Sequence, residues 1–264
     1  MKTQPEASLV MRKIVPFLLL MLCAVAIGVL YWHGPISQDP AYHDFADQRL
    51  LFGIPNFWNV VSNLPFVLVG LFGLSQCRTL WAGRFAAGNG LSYLVFYAAI
   101  LCTGIGSGYY HLQPDNWGLA WDRMAMALSF MAFLSIIIGE YVSTKLGRQL
   151  LLPLCLAGLL SVIYWLGTEQ FGVGDLRPYA IIQFLPMPVI LVIVFFWKSA
   201  TLRVSDVLII GAGYGLAKVF EILDAQTYQL VMVRGHSLKH LAAAFSASWL
   251  LVVLAQRGKT DQER

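Results

Sequence analysis

The 264 residues are 58% hydrophobic and only 12% charged, with a mean hydropathy of +0.67. Soluble domains carry about 25% charge and about 45–50% apolar residues, so a water-soluble fold is excluded and lipid is the solvent. The net charge of +4 and pI near 8.9 would suit a nucleic-acid binder, but the basic residues are distributed by membrane side and imply no nucleic-acid partner.

Eight apolar runs are long enough for a membrane helix, which needs about 17–25 residues. In chain order they are Ile14–Trp32, Phe57–Ser75, Leu91–Tyr110, Leu119–Tyr141, Leu150–Leu166, Tyr179–Trp197, Val207–Leu223 and His236–Leu254. The connections are short, with no linker tract and no internal repeat. The fold class expected is all-α: a polytopic membrane helix bundle with a seven-helix core and one additional N-terminal helix. Residues 1–33 form an N-terminal cytoplasmic segment and signal-anchor helix, 34–256 the seven-helix domain and 257–264 a short cytoplasmic tail. A basic Met1–Lys13 before an apolar run is also the outline of a signal peptide. The length of Ile14–Trp32, with no convincing small-residue cleavage site after it, favours an uncleaved helix. Cys23, Cys77, Cys102 and Cys155 lie in or beside different runs and form no CxxC, so they read as small core residues rather than a disulfide or metal framework.

Lys and Arg mark the cytoplasmic side. One side of the eight-span arrangement holds Lys2, Arg12, Lys13, Arg78, Arg84, Lys145, Arg148, Lys198, Arg203, Arg257, Lys259 and Arg264, 12 of the 18 basic residues. The other holds Arg49, Arg123, Arg177, Lys218, Arg234 and Lys239. Both termini are therefore expected in the cytoplasm.

A strongly polar group inside a span costs about 2.5–3.5 kcal/mol on insertion scales, so each needs a reason. Ser107 and His111 end the third span, Asp122 and Arg123 open the fourth, and His236 and His240 open the eighth. The topology puts all of them at the outer ends of their helices, so residues distant in sequence meet at one membrane depth. His236 and His240 stand at i and i+4, about 6 Å apart in rise on one helix face, a spacing that lets two imidazoles share a metal. Ser107 and His111 repeat that relation. Three histidines leave one zinc position open to water, the pattern of a catalytic site. Zinc lowers the pKa of such a water, Asp122 is placed to act as general base, and Ser107 to donate to an oxyanion. The bland alternatives are a salt bridge from Asp122 to Arg123 or a helix cap, and for HxxxH a structural or interfacial pair. His33 and His43 fall in the outer loop, where solvation is the simplest expectation.

Other buried polar residues read as support. Asn59, Ser62 and Asn63 share one face of the second span, and Gly104 with Gly108 allows close helix approach. Lys218 can pair with Glu221. Glu221 or Asp224 is a candidate to orient a metal-binding histidine, although structural pairing is the plainer reading. Pro186 and Pro188 predict a kink in the sixth span, which can open a lipid-accessible cavity.

Taken together, Phe57-Trp-Asn-Val-Val-Ser-Asn-Leu64, Ser107-xxx-His111 with Asp122 eleven residues on, and His236-xxx-His240 resemble the alkaline ceramidases. These fall in a broader superfamily of seven-helix membrane hydrolases that includes the progestin and adipoQ receptors. The resemblance runs from about Asn56 to Trp249. It implies Zn2+ held by His111, His236 and His240, with Ser107 and Asp122 beside it, and hydrolysis of the N-acyl amide of a ceramide-like membrane lipid. Two features depart from the pattern. Ile14–Trp32 is an extra helix, and Asn56 stands where the eukaryotic enzymes end an acidic calcium site, a cluster that Asp39, Asp44 and Asp47 do not reproduce. The alternatives are a lipid esterase or phospholipase using the same zinc, and a non-enzymatic receptor-like or transport protein with a structural metal. A bis-histidine haem protein would leave Ser107 and Asp122 unexplained. The absence of an N-x-[ST] sequon fits a bacterial inner membrane, with the site towards the non-cytoplasmic side.

Overall fold

The computed structural model describes residues 6–45, 47–81, 85, 88–231 and 233–262. Met1–Pro5 of the first segment and the orientation-setting Lys2, Arg84 and Arg264 lie outside them. The described residues form an all-α bundle: α1 Glu6–Trp32, α2 Phe57–Val61, α3 Leu64–Thr79, α4 Gly90–Leu112, α5 Asn116–Ile137, α6 Thr144–Glu169, α7 Arg177–Phe184, α8 Pro186–Phe196, α9 Val204–Ile222, α10 Asp224–Val231 and α11 Gly235–Gln262. Seven stretches among them are long and apolar enough to cross a membrane, which makes this a multi-pass membrane protein.

Those seven match seven of the eight expected spans. The remaining one, the seventh in chain order, is α9, which carries Asp206, Lys218 and Glu221 and so falls short in apolarity. It nevertheless has 19 residues, about 28 Å at 1.5 Å per residue, and a buried stripe of Val207, Ile210, Gly213 and Ala217. That stripe recurs every three to four residues and faces α11, where a Cβ added to Gly213 would lie 3.0 Å from Ser246. α1 is the opposite case. Phe17, Leu20, Val25 and Val29 are all exposed, as lipid-facing residues must be.

Breaks in the helices follow from proline and capping chemistry. α2 and α3 form one span interrupted at Ser62–Asn63, with Pro65 in the first turn of α3, where a missing N–H costs nothing. Pro186 divides the sixth span into α7 and α8, and Met187 beyond it lines the central cavity. Asp115 caps α5 by accepting from Gly118 N at 2.6 Å. Asp122, two turns further in, is not the cap.

Glycine brings α3 and α4 into contact: a Cβ on Gly70 would sit 2.6 Å from Leu101 N, and one on Gly104 2.8 Å from Val67 N. Gly108, expected to join Gly104 in that contact, has open space around it and takes no part.

The loop from His33 to Asn56 lies over one end of the bundle, with Gln38, Phe45, Asp47 and Asn56 buried. His43 departs from expectation. Its Nδ1 lies 3.0 Å from the Tyr110 hydroxyl and its Nε2 2.9 Å from Asn116 Oδ1. A hydroxyl and an amide oxygen on neighbouring helix ends give both ring nitrogens a partner, and that match holds the ring half-buried. His33 is exposed.

Candidate active site

The last turn of α4 carries His111 and the first turns of α11 carry His236 and His240, and the loop over this end closes on them. His111 is 1% exposed and His240 4%. The ring centroids stand 4.8 Å apart for His111–His236, 5.1 Å for His111–His240 and 4.9 Å for His236–His240, a nearly equilateral triangle. One nitrogen from each ring lies within 4.8 Å of the others, so the three form a group able to hold a metal ion. The Nε2 atoms of His111 and His236 are 3.2 Å apart, a separation that suits either an N–H···N hydrogen bond or two ligands of a common cation.

The surrounding polar residues orient these rings. Ser62 Oγ donates to Asn59 O at 3.2 Å and lies 2.7 Å from His240 Nδ1. With its proton spent on the carbonyl, the hydroxyl must accept from Nδ1–H, which leaves the Nε2 lone pair of His240 free. Ser237 donates to Asn59 Oδ1 at 3.1 Å, joining α2 to α11 beside the triad. Asn56 donates from Nδ2 to the His111 carbonyl at 2.9 Å. Asn56 sits at φ 49°, ψ 38°, a left-handed conformation that Asn tolerates better than most residues. A carboxylate there would have no proton to donate. Asp47 is likewise committed, to Arg49 at 2.6 Å, and hydrogen bonding from that guanidinium holds its carboxyl below the usual range. Phe45 stacks 4.6 Å from His111 and 5.4 Å from His236 and shields the group from the loop side.

Ser62→Ala removes the acceptor that fixes the His240 tautomer. It should weaken metal affinity by about 10–100-fold, the usual effect of losing such a partner, as read by competition against a chelator.

Ser107, one turn before His111, is 3% exposed. Its hydroxyl faces the carboxyl of Asp122, and both line a cavity of about 140 Å³ together with His240. One water needs about 10–15 Å³, so this is room for part of a ligand. The remaining walls are mostly apolar, including Phe66, Phe96, Phe130 and Phe133, and Lys218, Glu221 and Lys239 add to the polar lining. Asp122 makes no ion pair with Arg123 among the described residues, and its Oδ1 is buried without a partner. Neither bland reading of Asp122 holds.

Two other expectations resolve structurally. Glu221 binds Lys218 at 2.5 Å and also Lys239 at 3.1 Å, and Asp224 accepts from the His236 backbone N–H at 2.8 Å, so neither acidic group touches a histidine ring. Of the polar stripe, Ser62 and Asn59 reach α11, while Asn63 bonds locally to Asn59 O at 2.7 Å. The sequence reading missed Phe45, the Lys239–Glu221 pair and the Asn56–His111 bond. Phe45 lies in an aperiodic loop that carries no local signal, although Asn56 was visible in the family motif.

A polar cluster of histidines, serine and carboxylate, buried beside a mostly apolar cavity within lipid-facing helices, defines the class: a membrane-embedded enzyme. The model of the ceramidase family matches residues 51–212, and the chain belongs to that family. It is thus a hydrolase of linear amide C–N bonds acting on a lipid. His236 and His240 lie beyond the matched segment, so their meeting with His111 is independent of that match. No curated protein matches the chain.

Proposed function

We propose that the protein is a zinc-dependent intramembrane amidase that cleaves the N-acyl bond of ceramide-like lipids, with His111, His236 and His240 as metal ligands and Asp122 and Ser107 as catalytic groups. The observation that carries this reading is the histidine triangle at the end of the apolar cavity. Two nitrogens at about 2.0–2.1 Å from a tetrahedral zinc are about 3.3–3.4 Å apart, close to the 3.2 Å between the Nε2 atoms of His111 and His236. The ligand type is right, and the His240 tautomer leaves its coordinating nitrogen free. Zinc bound there supplies a Lewis acid that activates water and polarises a carbonyl.

The protein's own residues do the rest. The phenylalanine-walled cavity takes the acyl chain and keeps bulk water from the reacting end. Asp122, with a free buried oxygen, accepts a proton from the attacking water and returns it to the departing amine, which cannot leave as an anion. Ser107 donates to the carbonyl oxygen as charge develops there. The direct test offers the purified protein an acyl amide and the matching acyl ester in the same detergent. Fatty acid released from the amide, with an equivalent of free amine, supports the reading. Turnover of the ester alone would move the function to a lipid esterase.

We also propose an inner-membrane location in a bacterium, which the absence of an N-x-[ST] sequon fits, with the histidines towards the non-cytoplasmic face on the strength of the asymmetric basic residues. Reporter fusions after Lys145 and Arg203 should read cytoplasmic. An external signal from either would reverse the orientation.

A further inference from the structure

Adjoining the acyl cavity at Asp122 lies a second recess of about 250 Å³, bounded by α5, α7, α9, α11 and Tyr42 of the covering loop. The two spaces share Asp122, Lys218, Glu221 and Lys239 as lining residues, so they meet at the reacting end. Arg123 is the charged residue that lines the recess and not the cavity. The recess gathers three cations, Arg123, Lys218 and Lys239, against two carboxylates, Asp122 and Glu221. Glu221 serves both lysines, with Oε2 on Lys218 at 2.5 Å and Oε1 on Lys239 at 3.1 Å.

Arg123 is the outlier. It is 7% exposed and has no carboxylate within bridging distance among the described residues. The guanidinium carbon lies 4.4 Å from the Trp165 ring and 5.1 Å from Tyr179. Nη2 donates to Gln38 Oε1 at 2.5 Å, and Nη1 is buried with no acceptor. A buried cation is normally paired, because desolvation without a counter-charge is costly, and a guanidinium is built to bind oxyanions through parallel donors. Ring faces and one amide replace only part of that.

Building on the amidase reading, we propose that this recess holds an anionic headgroup, so that the preferred substrate is an N-acyl lipid bearing a phosphate-type oxyanion a few bonds from the amide nitrogen. With the scissile amide at Asp122 and the acyl chain among the phenylalanines, the amine side of the substrate faces Arg123 and Lys239. An oxyanion there completes the charge balance and gives Nη1 its acceptor. A neutral headgroup does neither.

The test uses full-length, zinc-replete protein in uncharged detergent with two lipids of identical chains, a ceramide and its 1-phosphate. Equilibrium binding and kcat/KM are both measured, for the wild type, Arg123→Gln, Arg123→Lys and Lys239→Gln. Wild type should favour the phosphate lipid by about 10–100-fold in binding, the size of one hydrogen bond to a charged group. Arg123→Gln should collapse that ratio and Arg123→Lys should retain part of it. Because the ratio is read within one preparation, a variant that merely folds poorly loses both lipids equally and leaves the ratio intact. Equal wild-type binding of the two lipids, or a ratio unchanged in Arg123→Gln and Lys239→Gln, would overturn the proposal. Retained binding preference with neither amide hydrolysed would support the recess while contradicting the amidase function.

Discussion

Asp122→Asn should lower turnover on an acyl amide by about 10²–10⁴, the range lost with a positioned general acid–base group, while the metal content stays at the wild-type level. An amide is a poor electrophile with a poor leaving group, so hydrolysis needs a proton removed from water and another delivered to nitrogen. Asp122 is placed for both transfers: it lines the cavity with His240, faces Ser107 and keeps Oδ1 unpartnered. Asn preserves the volume but cannot exchange the proton. It also spares the histidines, none of which hydrogen-bonds to Asp122. Ser107→Ala, which removes an oxyanion donor, should cost up to about 10²–10³. Unchanged turnover in Asp122→Asn would remove that residue from the mechanism.

The larger effect is expected from the ligands. His236→Ala and His240→Ala should each lose most of the bound zinc and nearly all activity, since two imidazoles cannot hold the ion as three do. The variants are distinguishable. His240 is also hydrogen-bonded to Ser62 at 2.7 Å and packs against Phe66, so its removal takes one of the two partners of a buried hydroxyl, which keeps its bond to Asn59 O, and leaves a void. The His236 ring is half-buried and, apart from His111, has no ring hydrogen bond, so His236→Ala should lose metal with a smaller loss of thermal stability. Elemental analysis of both beside the wild type decides the assignment, and full zinc retention in both would refute it.

Much of this site is legible from residue types and membrane depth. His111, His236 and His240 stand out because histidine is costly in a span, and the helix count alone brings their ends to one side. Ser107 and Asp122 follow from the same argument. What escapes is whatever depends on the three-dimensional course of a loop. Phe45 shields the histidines from within an aperiodic segment, and His43 is held half-buried because two neighbouring helix ends happen to offer each ring nitrogen a partner. Lys239 was legible as a basic residue at a helix end, yet its pairing with Glu221 needed the spatial neighbourhood of α9 and α11. α9 shows the converse. Its charges lower its apolarity, and two of them, Lys218 and Glu221, also line the site.

The central claim is that a metal held by three histidines is required for lipid amide hydrolysis. It is tested most directly by stripping the purified protein with a chelator, adding back zinc or calcium separately, and measuring fatty acid released from ceramide in detergent. Release should vanish on stripping, return with about one zinc per chain, and stay absent with calcium alone. Full activity in the zinc-free protein, or recovery with calcium alone, would contradict the account.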